Sequence, residues 1–218
     1  GQGVLHLSFS GCPPALYFDT EKLGCSDWIE ESLEYLKAEQ SIKNVLVGFR
    51  YSSFLFGGQT NDYPNLPNKI PSIEYTALSR KEGQISDPRK VYWDSLYAII
   101  EQLLNADKHV YLLYPIPELP ANIIKLATPL SIFNKEPLAN LQETTSRTYY
   151  LERNAYILEK FDSLPQHGNL IAIKPFDALC SSKHCPAAIN GQALYFDDNH
   201  LSRIGAKRLI EKSSIIQY

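Results

Sequence analysis

Short apolar runs rich in β-branched residues alternate along the chain with longer segments whose apolar positions recur every three or four residues, a pattern that predicts strands and amphipathic helices in turn. Val4 to Phe9 predicts a strand, stopped at Ser10-Gly11-Cys12-Pro13-Pro14, where a glycine and paired prolines break both strand and helix. Asp27, with Glu30 three residues on, predicts a capped helix start, and Ile29, Leu33 and Leu36 give that helix an apolar face. Asn44 to Phe49 reads as a buried strand leading into Arg50-Tyr51-Ser52. Asp87-Pro88 opens the next helix, with Val91, Leu96, Ile99, Ile100 and Leu103 on its buried side. His109 to Tyr114 is a further strand, closed by Pro115-Ile116-Pro117 and followed by an irregular stretch to about Glu143. A helix from about Thr145 to Phe161, a last strand at Leu170 to Ile173, a cysteine-bearing loop and a closing helix from Ser202 complete the order. Strands alternating with helices predict an α/β domain with a mainly parallel sheet. In such a sheet, ligands bind beyond the carboxyl ends of the strands.

One region breaks the alternation. From Gly57 to Ser86 the chain is rich in Gly, Asn, Pro and Ser without periodicity, too long for a simple connection and readable as a binding loop or a mobile lid within a single domain over 1–218. With 218 residues, 44% of them hydrophobic, the chain can bury a core without help from a metal or a dense disulfide framework. Its 21 Lys+Arg against 24 Asp+Glu give a net charge of -3. That balance lacks the basic footprint phosphate backbones or anionic membrane surfaces require, so nucleic acid is not an expected partner. No apolar run reaches bilayer length, and Gly1-Gln2-Gly3-Val4 lacks the charged start and apolar stretch of a secretory signal. The absence of Met leads to the expectation that a chain opening at Gly1 is processed or excised from something longer.

Cys12, Cys25, Cys180 and Cys185 allow three disulfide connectivities. Their short separations, with Pro or Gly near each pair, favour Cys12 with Cys25 and Cys180 with Cys185. Four reduced, buried thiols are an alternative. A zinc site using Cys180, His184 and Cys185 is another, although no second ligand pair accompanies that cluster and no metal is expected.

The segment Asp197-Asp198-Asn199-His200-Leu201-Ser202 places a carboxylate three residues before a histidine at a helix entrance. There Asp197 can fold back onto one ring nitrogen of His200, fix its tautomer and leave the other as a general base. The same spacing also describes a capped helix start with a solvated imidazole. What separates the two is the wider context. Tyr195-Phe196-Asp197-Asp198-Asn199-His200-Leu201-Ser202 followed by Gly205-Ala206 resembles the closing motif of SGNH hydrolase-like domains. It is most similar to that of the periplasmic SGNH domains fused to membrane acyltransferases of acyltransferase family 3, which O-acylate cell-surface polysaccharides. Ser10 to Pro14, Val45 to Tyr51, Val110 to Pro117 and the Leu179 to Cys185 loop fall in the order that family shows.

The resemblance implies a three-layer α/β/α, flavodoxin-like SGNH fold with a mainly parallel sheet. It implies His200 as catalytic base, Asp197 as its orienting acid and Gly11 as a backbone N–H donor to the oxyanion of a tetrahedral intermediate, where a glycine otherwise reads as a turn residue. It also implies an oxidising compartment in which the cysteines pair locally.

Two departures qualify the match. Where the wider pattern has Gly-x-Asn-Asp, this chain has Gly48-Phe49-Arg50-Tyr51. Arg50 can stand in as an oxyanion donor, bind a sugar hydroxyl or form a structural ion pair. The look-alike at Gly58-Gln59-Thr60-Asn61-Asp62 has one residue too many, so Asn61 reads as a turn residue. No Gly-Asp-Ser block is present; in this family it supplies the nucleophilic serine, and here it is expected before residue 1. Ser8, Ser10, Ser52 and Ser53 are not convincing nucleophiles.

The function implied is serine-dependent acyl (acetyl) transfer to hydroxyls of a bacterial surface polysaccharide such as O-antigen, without a cofactor. The acyl donor would come from a fused transmembrane domain that tethers this one at the periplasmic face of the inner membrane. An acetyl esterase of the same fold is the alternative. A non-catalytic glycan-binding module displaying Tyr63 and Tyr75 is a third reading, against which the pairing of a base with its orienting acid argues.

Overall fold

The computed structural model describes residues 3–9, 11–16, 24–55, 62–66, 87–128, 138–139 and 141–213. The chain divides into two compact units. The first is Gly1–Phe49, Ile70–Leu112 and Pro165–Ile171; the second is Arg50–Lys69, Leu113–Leu164 and Ala172–Tyr218.

In the first unit, α1 (Cys25–Ala38) packs on α3 (Pro88–Asn105), and β1 (Asn44–Val47) pairs in parallel with β2 (His109–Leu113), Asn44 opposite His109 and Val47 opposite Leu112. The sheet order is β1, β2, then β4 (Leu170–Ile173). The start of α3 follows its sequence signal: Asp87 accepts the Arg89 N–H and a proline sits in the first turn, where its missing N–H costs nothing. Leu96, Ile99, Ile100 and Leu103 are buried as expected, and Val91 is half-buried. Lys108 is buried too, its ammonium donating to the Glu39 and Ile42 carbonyls at 2.8 Å each, which satisfies a charge that burial alone would penalise.

Two expectations fail here. The helix at Asp27 begins earlier, at Cys25, behind Gly24 in left-handed backbone with no side-chain cap; Asp27 lies inside its first turn, where its charge still favours the helix dipole. Val4 to Phe9 forms no strand, and Val4 is 97% exposed. The run pairs with no described strand, and without a ladder to join, Val4, Leu5, Leu7 and Phe9 all stay exposed, Phe9 resting edge-on against Trp28.

The second unit holds α2 (Tyr51–Leu55), α4 (Ile123–Ala127), a β3–β5 pair (Thr145–Ser146 with His184–Cys185), α5 (Arg147–Asp162), α6 (Pro175–Leu179), a β6–β7 hairpin (Ala188–Ile189 with Gln192–Ala193) and α7 (Arg203–Lys212). Of these, α5 and α7 match the hydrophobic pattern, whereas α2, α4, α6 and the two-residue strands are too short to carry a period. Leu119, Ile123, Ala187, Leu194 and Tyr195 form a buried cluster beneath the 197–200 turn. Phe161 takes the rings of Tyr51 and Tyr114 edge-on at 5.1 and 5.0 Å.

Both favoured disulfides are present, Cys12–Cys25 and Cys180–Cys185. The alternatives of free thiols and of zinc on Cys180 and Cys185 therefore do not hold, since a bridged sulfur offers no thiolate to a metal. Among the described residues no helix is long and apolar enough to cross a membrane.

A candidate catalytic dyad and its brace

Among the described residues, the Asp197 carboxylate takes its hydrogen bonds from its own turn. Its Oδ1 accepts the backbone N–H groups of Asn199 at 2.8 Å and His200 at 2.7 Å, while Oδ2 lies 2.7 Å from Nδ1 of His200. Burial raises the Asp197 pKa, but the two N–H groups and the imidazole outweigh it and hold the carboxyl below its ordinary value. An ionised Asp197 assigns the proton of neutral His200 to Nδ1, which leaves the Nε2 lone pair as the basic site. The ring is 66% exposed, and among the described residues nothing hydrogen-bonds Nε2. An imidazole oriented at one nitrogen and open at the other is what a general base requires.

The turn is fastened on several sides. Tyr195 and Leu201 form an antiparallel bridge at its base, and Phe196 donates its N–H to the His200 carbonyl at 3.0 Å. From the segment after β2, Leu119 N–H reaches the Asp198 carbonyl at 2.7 Å and Ile123 N–H the Asp197 carbonyl at 3.3 Å. The Tyr195 hydroxyl donates to Pro117 O at 2.8 Å. On the downstream side Ser202 caps α7 by accepting the Gly205 N–H at 3.1 Å, and its hydroxyl donates to the Ala193 carbonyl at 2.7 Å.

Gly205 allows α7 to lie this close: a Cβ there would fall 2.1 Å from the Leu194 carbonyl oxygen. Backbone cannot swing aside as a side chain can, so Gly205→Ala is expected to displace α7 and destabilise the fold by about 1–3 kcal/mol or more. A lowered thermal unfolding midpoint would show it; an unchanged midpoint would mean that α7 relaxes freely.

Arg50, just past β1, gives Nε to Glu118 Oε1 at 3.0 Å and Nη2 to Glu118 Oε2 at 2.8 Å. Its Nη2 also lies 3.9 Å from Asp198 Oδ2. Two of its donors are thus committed to a carboxylate, which favours the ion-pair reading of this residue. On the other side Arg153 of α5 gives Nη2 to Glu118 Oε2 at 2.9 Å, with side-chain exposures of 1% for Arg153 and 6% for Glu118. Thr145 fixes the same residue through its backbone, donating to Glu118 O at 2.7 Å.

Sequence reading did not single out Glu118 or Arg153. The one available signal was a charged residue enclosed by Pro117 and Pro120 just past a strand end.

The other candidates fall in different places. Gly11 lies in the first unit, exposed, with φ +79° and open space where a Cβ would be, a left-handed turn that favours glycine. Ser8 is exposed in that unit, and Ser10 lies outside the described residues. Ser52 and Ser53 sit on α2, where Ser52 is buried and donates to Asn154 Oδ1. Tyr63 packs edge-on against Tyr149 at 4.8 Å. Asn61, Tyr75 and most of the 57–86 stretch are outside the described residues.

The family model for the SGNH domain fused to AT3 domains matches residues 1–212. The chain belongs to that family, and its fold is the mixed α/β SGNH fold with a parallel sheet. Among solved structures it is similar to the periplasmic domain of the lipopolysaccharide acetyltransferase of Salmonella ser. Paratyphi A, with a TM-score of 0.56 and 17% identity over 93% of this chain and 67% of that one. No curated protein matches the sequence.

Proposed function

We propose that this domain takes part in serine-dependent transfer of an acyl group, acetyl foremost, to hydroxyls of a bacterial surface polysaccharide such as O-antigen. The observation that carries the reading is the 2.7 Å contact between Asp197 Oδ2 and His200 Nδ1, with Nε2 left open. His200 removes the proton from the attacking hydroxyl in each half-reaction and returns it to the leaving group, while Asp197 orients the ring and balances the transient imidazolium. Arg50 serves as an ion-pair residue bordering the dyad.

Among the described residues no hydroxyl donates to His200; the nucleophile of this reading is the serine of a Gly-Asp-Ser block in the whole protein, as the family resemblance implies. The fusion of this family to AT3 domains supports delivery of the acyl donor by a transmembrane partner domain, and with it a tethered, periplasmic location. The structural neighbour acetylates lipopolysaccharide by its name, which supports a glycan acceptor.

The same dyad would serve an esterase. Supplying the whole protein in membranes with a labelled acetyl donor and polysaccharide separates the two. Label retained on glycan supports transfer, and label released from pre-acetylated glycan as free acetate, with none incorporated, would establish the esterase instead.

A further inference from the structure

Three carboxylates and two guanidinium groups converge beside the dyad, and their pairing is selective. Glu118 takes both Arg50 and Arg153. Asp198 receives Arg50 only at 3.9 Å, and Asp197 Oδ2 pairs with His200 alone among the described residues. A guanidinium presents a planar fork that prefers two-point contact with a carboxylate. Arg50 makes that contact with Glu118, and on its other side its Nη2 lies 3.9 Å from Asp198 Oδ2, on the turn that also carries Asp197. We propose that Glu118 is a positioning residue that keeps Arg50 off the Asp197 carboxylate and so reserves Asp197 for His200.

Three features make Glu118 suited to this. Its carboxylate is nearly dry, which strengthens the Arg50 pair relative to a contact with the wetter turn. Arg153 holds the Glu118 carboxylate from the buried side, so it cannot follow Arg50 outward. The next residue, Leu119, donates its N–H to the Asp198 carbonyl, so one short segment sets the position of both the restraint and the turn. Asp197 and Asp198 are both close enough for Arg50 to feel their charge.

The inference rests on the proposed role of His200 as a base, but its test does not. In the 218-residue chain, 15N chemical shifts of the neutral His200 ring report which nitrogen carries the proton. The parent is expected to show a majority of Nδ1–H. Glu118→Gln removes the charge that holds Arg50, which then takes Asp197, and the majority should pass to Nε2–H. Adding Arg50→Met to Glu118→Gln removes the competitor and should restore Nδ1–H, and Arg50→Met alone should leave the parent signature. A purely structural Glu118 predicts the reverse for the pair: the double variant would be no better than the single one.

Glu118→Gln also strands the Arg153 cation, so Arg153→Met combined with Glu118→Gln provides a folded equivalent if the single variant does not fold. It should show the same passage to Nε2–H. An unchanged tautomer in the folded Glu118→Gln forms, a double variant that fails to recover, or loss of Nδ1–H in Arg50→Met would each overturn the proposal. An inactive whole protein, with these tautomer changes intact in the 218-residue chain, would count against the acyl-transfer reading and leave the positioning role standing.

Discussion

His200→Ala is expected to lower acyl transfer by the whole protein by about three orders of magnitude or more, with Asp197→Asn costing less but still on the order of a hundredfold. The asymmetry follows from the geometry. Alanine removes the base outright. Asparagine keeps the shape of the turn but presents an amide where the ring needs an anionic acceptor for Nδ1–H. Turnover of a small acetyl ester and incorporation into polysaccharide should fall together, because both half-reactions use the same base. Near-normal turnover by His200→Ala would remove the dyad from the mechanism. Asp197→Asn carries a second signature in stability. The Asp197 carboxyl is held below its ordinary value in the folded state. Its contribution is therefore full above the unfolded pKa and is lost as pH falls through the lowered folded pKa. The parent's stability advantage over Asp197→Asn, followed by denaturant unfolding, should shrink on acidification across that window and stay constant above it.

The second large effect concerns the nucleophile. The 218 residues by themselves are expected not to hydrolyse an activated acetyl ester above a buffer blank, since His200 has no described hydroxyl partner to activate. The whole protein should turn the ester over if it carries a Gly-Asp-Ser block, and changing that serine to alanine should abolish the acyl-enzyme, which mass spectrometry detects as an added acetyl. Serine-dependent turnover by residues 1–218 alone would place the nucleophile inside this chain, and Ser10, beside Gly11, would be the first residue to change.

The parts of the structure legible in the sequence are those whose signal is local. Leu170 to Ile173 is a strand with the predicted bounds, and α3 starts at the predicted cap. Asp197 and His200, three residues apart, meet as their spacing proposed. Both disulfides close over short separations of 13 and 5 residues. What sequence could not supply depends on residues far apart along the chain. Nothing local marks Glu118 as the shared partner of Arg50 and Arg153. Arg153 lies on the same buried helix face as Tyr149, Ile157 and other core residues, where a cation looks misplaced until its partner is known. The Val4 to Phe9 run failed for the complementary reason: composition records a preference for extended backbone but not whether a neighbouring strand is there to receive it.

The span of the brace bears on how the domain acquires its competence as it folds. The Asp197–His200 contact joins residues 3 apart, whereas Arg50 meets Glu118 across 68 residues, Arg153 meets Glu118 across 35 and Tyr195 reaches Pro117 across 78. Closing long loops costs more chain entropy and comes later than closing a single turn. During refolding the acid and base can therefore find each other while Arg50 is still unrestrained and able to intrude between them. Correct orientation of His200 then marks the end of folding rather than its beginning, and it should lag behind the recovery of helix seen by circular dichroism.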